Sequence, residues 1–158
     1  MLKQRCRFSW NSSRRRVWQH RWRGTSEPSR HATNKRYVVE VCKPGNVEEK
    51  ALELCERSKR HLGLRKGVVY SRSRNQCERL ARELKCAYYH AGAADNEEML
   101  GAWLERGGLI IPTSALGTGV DFPGVVFTLH VDAPYGMIDF AQESRRAGRA
   151  GENVDSVW

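Results

Sequence analysis

Two arginines near the end of the chain, Arg146 and Arg149, stand three residues apart and follow Gln142. Residues three apart on a helical turn share one side, so both guanidinium groups can face the same anionic partner. The alternative is an exposed basic helix end, which the negative end of a helix dipole favours without any ligand. This cluster is the first candidate for chemistry in the sequence.

A second candidate is the loop Thr113 to Asp121, TSALGTGVD, which is small, polar and broken by glycines. Gly117 and Gly119 would let the backbone approach a ligand closely. Asp121 could accept hydrogen bonds from a ribose or order an attacking water, and the alternative is an ordinary turn with Asp121 as a local cap. The loop is not a dinucleotide-binding fingerprint, because four residues rather than two separate Gly119 from the next glycine.

Each candidate follows an apolar run typical of a buried strand. Leu109 to Ile111 leads into the glycine-broken loop, and Val125 to Val131 leads into the arginine-bearing helix. In a parallel α/β sheet, ligands bind outside the carboxyl ends of the strands. The pattern therefore predicts a binding site at this edge.

Upstream, strands and helices alternate. Strands are predicted at Arg36 to Cys42, Gly67 to Ser71 and Cys86 to Tyr89. Helices are predicted after Asn46, Ser73 and Asp95, each followed three residues later by Glu or Gln as in a capping box. Such alternation predicts an α/β fold with a mostly parallel, doubly wound sheet.

Four segments together resemble one protein family. Residues 142–149, QESRRAGR, resemble motif VI of superfamily 2 helicases of the RecQ type, and residues 113–121 resemble motif V. Residues 67–73, GVVYSRS, resemble motif IV, and residues 89–92, YHAG, match a segment that follows it in RecQ-type proteins. The resemblance runs from about Ser29 to Gly151 and implies a RecA-like (P-loop NTPase-like) helicase lobe 2, the helicase C-terminal domain.

The resemblance also implies roles for single residues. Arg146 and Arg149 would act as arginine fingers on ATP, with Gln142 bonding nearby, and Gly119 and Asp121 would lie at the nucleotide. Single-stranded or partly duplex DNA would be held through its backbone, without reading of bases. The residues implied in those DNA contacts are Ser71, Arg72, His90, Gly92, Thr113 and Ser114. His90 by itself is more typical of a hydrogen-bonded core histidine.

The implied activity is that of an ATP-dependent 3′ to 5′ DNA helicase, but two of its parts are missing from this sequence. There is no GxxxxGK[ST] phosphate loop and no DExH-like acidic box, so ATP and Mg²⁺ would be bound mainly by a separate lobe 1. We expect the chain alone to be inactive. The alternative is a non-catalytic module, or the remnant of a gene, that binds nucleic acid weakly.

The charge is concentrated at one end of the chain. Residues 1–36 hold 11 Lys and Arg against one Glu, while residues 37–158 hold 16 against 17, so the basicity does not belong to the folded domain. We expect residues 1–28 to be a disordered basic arm and residues 29–158 to be the domain. The arm could be a solvated tail, a patch for nucleic acid or a nuclear-import receptor, an organelle presequence, or an artefact of translation.

Five cysteines without CxxC spacing indicate reduced thiols and no zinc site, and no apolar run is long enough to span a membrane. We therefore expect an intracellular protein, located in the nucleus by family resemblance. Arg145 departs from the family, which usually has Gly there, and we expect it to displace the turn that presents Arg146. Pro112 removes a donor from a central strand. The chain stops where the family's last strand begins, which suggests a fragment.

Overall fold

The computed structural model of the protein describes residues 8–11, 15–18, 35–113, 116, 122–132, 136–148 and 151–158. Its strands are β1 (Phe8–Asn11), β2 (Arg15–Trp18), β3 (Lys35–Glu40), β4 (Lys66–Tyr70), β5 (Ala87–Tyr89), β6 (Gly108–Pro112), β7 (Val125–His130) and β8 (Val154–Val157). Its helices are α1 (Val47–Leu62), α2 (Arg74–Leu84), α3 (Asn96–Arg106) and α4 (Met137–Arg145).

Within the described residues the strands form one sheet in the order β1-β2-β3-β8-β7-β4-β6-β5. In this sheet order, all neighbouring pairs from β3 through β8, β7, β4 and β6 to β5 are parallel. Strands β1 and β2 are antiparallel to their neighbours. Parallel neighbours require crossover connections, and helices supply them between β3 and β6. The predicted α/β fold with a mostly parallel sheet is confirmed.

The two faces of the sheet are covered by different helices. Side chains of β4 alternate, with Val69 packed in the cluster that holds α1 and α2, and Val68 in the cluster that holds Trp103 of α3. Because successive strand residues point to opposite faces, an unbroken apolar run can fill both clusters. Strands β4, β6 and β7 are accordingly buried along nearly their whole length, and the sheet is doubly wound as expected.

Two short strands, β1 and β2, lie within residues 1–28, which we expected to be a disordered arm. These strands form an antiparallel pair, and β2 adds to the edge of β3 with Val17 opposite Val38. An edge strand presents unpaired backbone groups that another strand can satisfy, and Phe8, Trp10 and Trp18 are residue types that favour strands. The rest of the predicted arm lies outside the described residues.

One of the three predicted capping boxes forms its helix cap. Ser73 accepts a hydrogen bond from the backbone N–H of Gln76, at 3.2 Å, and begins α2. Asn46 and Asp95 precede α1 and α3 without a side-chain cap, and both Asp95 oxygens instead accept from the Tyr88 hydroxyl at 3.0 Å. Helices α1 to α4 of the described ranges are too short or too polar to cross a membrane.

Pro112 is tolerated because it is the last residue of β6. Its carbonyl still accepts a 3.0 Å hydrogen bond from the Ser71 N–H, while the N–H that proline lacks falls at the strand end. The final strand β8 lies between β3 and β7 and pairs with both. The strand that the sequence suggested was cut short is thus formed in the sheet.

Candidate functional site

Three predicted DNA-contact residues follow neighbouring strands at their carboxyl ends. Ser71 follows β4, Thr113 follows β6 and His90 follows β5. The Ser71 N–H donates to Pro112, and the Thr113 N–H donates to the Tyr89 carbonyl, each at 3.0 Å. The predicted edge therefore exists, and these three residues lie in adjacent turns along it, although their side chains are buried.

His90 is held on both ring nitrogens. Its Nε2 lies 2.8 Å from Oε1 of Glu78, and its Nδ1 accepts a 3.2 Å hydrogen bond from the Gly92 N–H. Accepting that bond leaves the proton on Nε2, which donates to Glu78. The Asn96 side chain accepts a hydrogen bond from the His90 backbone N–H and donates one to the His90 carbonyl. This geometry fits a histidine that shapes its own turn and orients the exposed Gly92, which was the alternative to a direct DNA contact.

Two exposed arginines lie at the same edge. Arg72 and Arg74 follow β4 on either side of the Ser73 cap, and both are exposed. The Arg74 guanidinium lies against Gly92, since a Cβ added to Gly92 would stand 2.9 Å from its Nη1. Sequence reasoning selected Arg72 and missed Arg74. The signal for Arg74 was its position as the first residue of α2.

Motif VI occupies the end of α4 and the turn after it. Gln142 is exposed on the helix, and Arg146, half-buried, directly follows its last residue. The Arg146 N–H donates to the Glu143 carbonyl at 3.2 Å, and the Gly148 N–H to the Val125 carbonyl at 3.0 Å. At φ +71° Gly148 has the left-handed backbone that closes this turn. Gln142 and Arg146 therefore lie on the last turn of α4 and directly after it, and their roles stay predictions.

Four predicted site residues lie outside the described residues: Arg149, Gly119, Asp121 and Ser114. Their assignment stays a prediction.

Arg145, which we expected to displace the turn that presents Arg146, is the last residue of α4 and is exposed. It lies within electrostatic reach of Tyr37 on β3. Burial raises the pKa of Tyr37, and the Arg145 charge lowers it to a smaller extent. The effect of Arg145 on the position of Arg146 stays a prediction.

Sequence reasoning also missed the residues that attach α4 to the sheet. Glu143 Oε2 lies 2.8 Å from Nε2 of His130, the last residue of β7. One residue further, the Ser144 hydroxyl lies 3.3 Å from that of Ser156, which accepts from Thr128 at 3.0 Å. The Lys35 ammonium donates to the Ser144 carbonyl at 2.9 Å. Contacts between residues so far apart in sequence leave no local signal.

The pKa of Tyr70, at the end of β4, is affected by charged residues in and directly after α4. Burial raises its pKa most, the nearby Glu143 carboxylate raises it further, and Arg146 lowers it. Motif VI therefore lies within electrostatic reach of the strand that carries motif IV. Arg72 and Arg74 lie on the same edge, and guanidinium groups form charge-assisted hydrogen bonds with phosphate oxygens.

The described residues contain no group of three or more His, Cys, Asp or Glu side chains placed to hold a metal ion. Cys55 and Cys77 are buried free thiols, Cys86 is half-buried, and Cys42 is exposed. A Mg²⁺ ion has no ligand cluster in this part of the chain.

The fold and its carboxyl edge define a RecA-like helicase lobe. Among solved structures, Saccharomyces cerevisiae Dbp5 bound to RNA and ADP BeF3 matches with a TM-score of 0.64 at 15% identity, covering 83% of this chain and 37% of that one. Escherichia coli DEAD-box protein SrmB matches with a TM-score of 0.63 at 19% identity, covering 77% and 73%. At these identities the likeness concerns the fold.

The chain belongs to the helicase conserved C-terminal domain family, whose model matches residues 48–151. The RecQ resemblance is confirmed by its relatives. The RecQ-like DNA helicase BLM of Xenopus laevis is 34% identical over 128 residues, which is 75% of this chain and 9% of that protein. The ATP-dependent helicase SGS1 of Saccharomyces cerevisiae is 35% identical over 107 residues, 63% and 7% respectively. The chain thus spans a small part of these relatives.

Proposed function

We propose that the chain is the second RecA-like lobe of a RecQ-type, ATP-dependent 3′ to 5′ DNA helicase, working in the nucleus. In this role Arg146 and Arg149 reach ATP and Mg²⁺ held mainly by a first lobe, and the edge at β4, β6 and β5 holds single-stranded or partly duplex DNA. The observation that carries the proposal is the position of Arg146, fixed at the end of α4 beside the strand of motif IV. The direction of movement rests on the family alone.

The chemical contribution of this lobe is positive charge supplied across a cleft. A guanidinium placed on the transferring phosphate stabilises charge that grows in the transition state, and such an arginine contributes about 10³ to 10⁵ in rate. Gln142 on the helix turn before Arg146 is placed to bond nearby groups. The remaining machinery, a phosphate loop and a DExH box, has no counterpart in these 158 residues, so the isolated chain should not hydrolyse ATP.

The test uses a joined protein, in which the whole chain is linked to the first RecA-like lobe of a RecQ-type relative. Arg146→Ala should lower DNA-stimulated kcat by about 10³-fold. Arg106→Ala, which removes an exposed arginine at the end of α3, is the matched control and should leave kcat unchanged. An Arg146→Ala protein that turns over at the control rate would refute the assignment, and ATPase activity of the purified chain alone would refute the need for a first lobe.

A non-catalytic nucleic-acid module is the second candidate, and the exposed pair Arg72 and Arg74 favours it. Backbone contacts of this kind need no first lobe and weaken with salt. Binding of a fluorescent oligo-dT by the isolated chain distinguishes a DNA site at the sheet edge from one in the N-terminal arm. If DNA binds at the edge, Arg72→Gln with Arg74→Gln should weaken binding. If it binds the arm, Arg21→Gln, Arg23→Gln and Arg30→Gln together should flatten the salt dependence of binding.

A further inference from the structure

Helix α4 is fastened to the sheet through two consecutive residues, Glu143 and Ser144. Glu143 meets His130 of β7 at 2.8 Å. Ser144 meets Ser156 of β8 through its hydroxyl at 3.3 Å and Lys35 of β3 through its carbonyl at 2.9 Å. Three strands thus hold the last turn of one short helix, directly before Arg146.

The contact between Glu143 and His130 is the most enclosed of these. Their side chains are 17% and 1% exposed, respectively. The imidazole stacks on Tyr70 at 4.9 Å between centroids and 16° between planes, and it lies 5.0 Å from the Phe140 ring. Two neighbouring rings limit the orientations open to the imidazole, and a hydrogen bond to a carboxylate in a water-poor site is strong. The pair therefore fixes where the Glu143 side chain can lie.

The direction of the hydrogen bond between His130 and Glu143 follows from their chemistry. A carboxylate oxygen can only accept, so Nε2 of His130 donates to Glu143. The other ring nitrogen, Nδ1, is buried and has no hydrogen-bond partner among the residues that the structure describes. The ring is therefore held through Nε2 alone among these residues.

Glu143 is also bonded to Arg146 through the backbone, because its carbonyl accepts the Arg146 N–H at 3.2 Å. Any shift of Glu143 along the sheet therefore moves the backbone of Arg146, and its side chain with it. Displacement of a reacting group by about 1 Å can lower a rate about 10²-fold, even when the change lies away from the chemistry.

We propose that His130 and Glu143 are positioning residues that set the aim of Arg146 toward the nucleotide. The inference rests on the proposed function, since it gives Arg146 its target. It assigns Glu143, which neighbours the predicted site residue Gln142, a role through contact with the sheet. Neither residue is required to touch ATP.

Steady-state kinetics of the joined protein give the first test. Glu143→Ala should lower kcat by about 10²-fold and leave the KM for ATP nearly unchanged, and Glu143→Gln, which keeps an acceptor oxygen, should recover most of the rate. Glu143→Ala combined with Arg146→Ala should be no slower than Arg146→Ala alone, because residues that act as one unit are not additive. Glu97→Ala, an exposed glutamate of α3, is the control.

These outcomes separate the two proposals. An unaffected Arg146→Ala refutes the finger assignment itself. If Arg146→Ala is slow while Glu143→Ala keeps the wild-type kcat, or if the two losses multiply in the double variant, the positioning role is wrong and the proposed function stands.

Hydrogen exchange in the full chain alone gives a second test that needs no ATPase activity. His130→Phe keeps a ring in contact with Tyr70 and Phe140 but removes the donor to Glu143, so it should preserve the packing. It should speed exchange of the Arg146 amide about tenfold, because local opening governs that rate. Glu143→Ala should do the same and Glu97→Ala should not. Unchanged protection at Arg146 in both site variants would overturn the proposal.

Discussion

The hydroxyl of Ser144 on α4 and that of Ser156 on β8 lie 3.3 Å apart in a buried site, and Ser156 also accepts from Thr128 of β7 at 3.0 Å. The Ser156 hydroxyl thus contacts the hydroxyls of both Thr128 and Ser144. We predict that Ser156→Ala lowers the free energy of unfolding by about 1 to 3 kcal/mol, since Thr128 is left with an unpaired buried hydroxyl. Urea unfolding measures this loss of unfolding free energy, with Ser58→Ala on α1 as the control.

A loss no greater than that of Ser58→Ala would show that water or a rotated Thr128 hydroxyl replaces the missing partner.

Gly92→Ala should separate binding from stability. Its added methyl group would stand 2.9 Å from Nη1 of Arg74, the far end of a flexible side chain, so the arginine moves and the fold is kept. We predict a change of less than about 0.5 kcal/mol in unfolding free energy, as for ordinary surface substitutions. Oligo-dT binding should weaken several-fold, by about 1 kcal/mol, as expected when an exposed charged group is misplaced.

The control is Gly101→Ala on α3, where an added Cβ meets no atom within 4 Å. Equal oligo-dT affinity of the two alanine variants would remove Arg74 from the DNA-binding edge.

Arg145→Gly should leave catalysis alone and cost stability. The sequence led us to expect that Arg145 displaces the turn that presents Arg146, whereas its exposed position at the end of α4 leads us to predict no effect on the rate. In the joined protein kcat should be equal for the wild type and the variant. Glycine in place of a good helix former should lower the unfolding free energy by about 0.5 to 1 kcal/mol. A faster Arg145→Gly protein would show that the arginine does disturb Arg146.

Stability should fall at alkaline pH because of buried thiols. Burial raises the pKa of Cys55 from an ordinary value of 9.0 to about 12, and the neighbouring Cys86 and Glu56 raise it less. In the unfolded chain this thiol ionises from about pH 9, while in the folded protein it stays protonated. Its stabilising contribution is thus complete below pH 9 and is lost between about pH 9 and 12.

Urea unfolding at several pH values from 8.5 to 11 gives the measurement. One such group contributes a slope of at most about 1.4 kcal/mol per pH unit. Cys55→Ala should flatten the curve in this range even though it lowers stability overall, whereas Cys42→Ala, at an exposed thiol, should not. Parallel curves for the wild type and Cys55→Ala would mean that this thiol does not titrate with unfolding.

Local sequence patterns predicted the helices and strands. The strand order and the pairing of distant side chains depend on long-range contacts and were not predictable. The helix predicted after Ser73 is α2, and it buries Cys77, Leu80, Ala81 and Leu84 on one face, because helical spacing places those residues together. The strand order was not predictable, since β8 enters between β3 and β7 through contacts that no short segment encodes. The pair of His130 and Glu143 was missed for the same reason.

The site shows the same division. The strand-end turns with Ser71, His90 and Thr113 were predicted at one edge and lie there, because carboxyl ends of parallel strands meet. Which side chains are exposed was not predictable: Arg72 is exposed, whereas His90 is buried and hydrogen-bonded to Glu78. The roles of Gly119, Asp121, Ser114 and Arg149 stay predictions.

The position of β8 governs the order in which this sheet can be completed. Strand β3 comes early in the chain, yet its parallel partner is β8, and the paired residues Arg36 and Asp155 are 119 positions apart. Closing so long a loop is slow, and a chain emerging from the ribosome presents β3 long before β8 is made. We therefore expect β4 to β7 to assemble first, with β3 joining only when synthesis reaches Val154, so that the unpaired flank of β3 is the part of a nascent chain most exposed to misassociation.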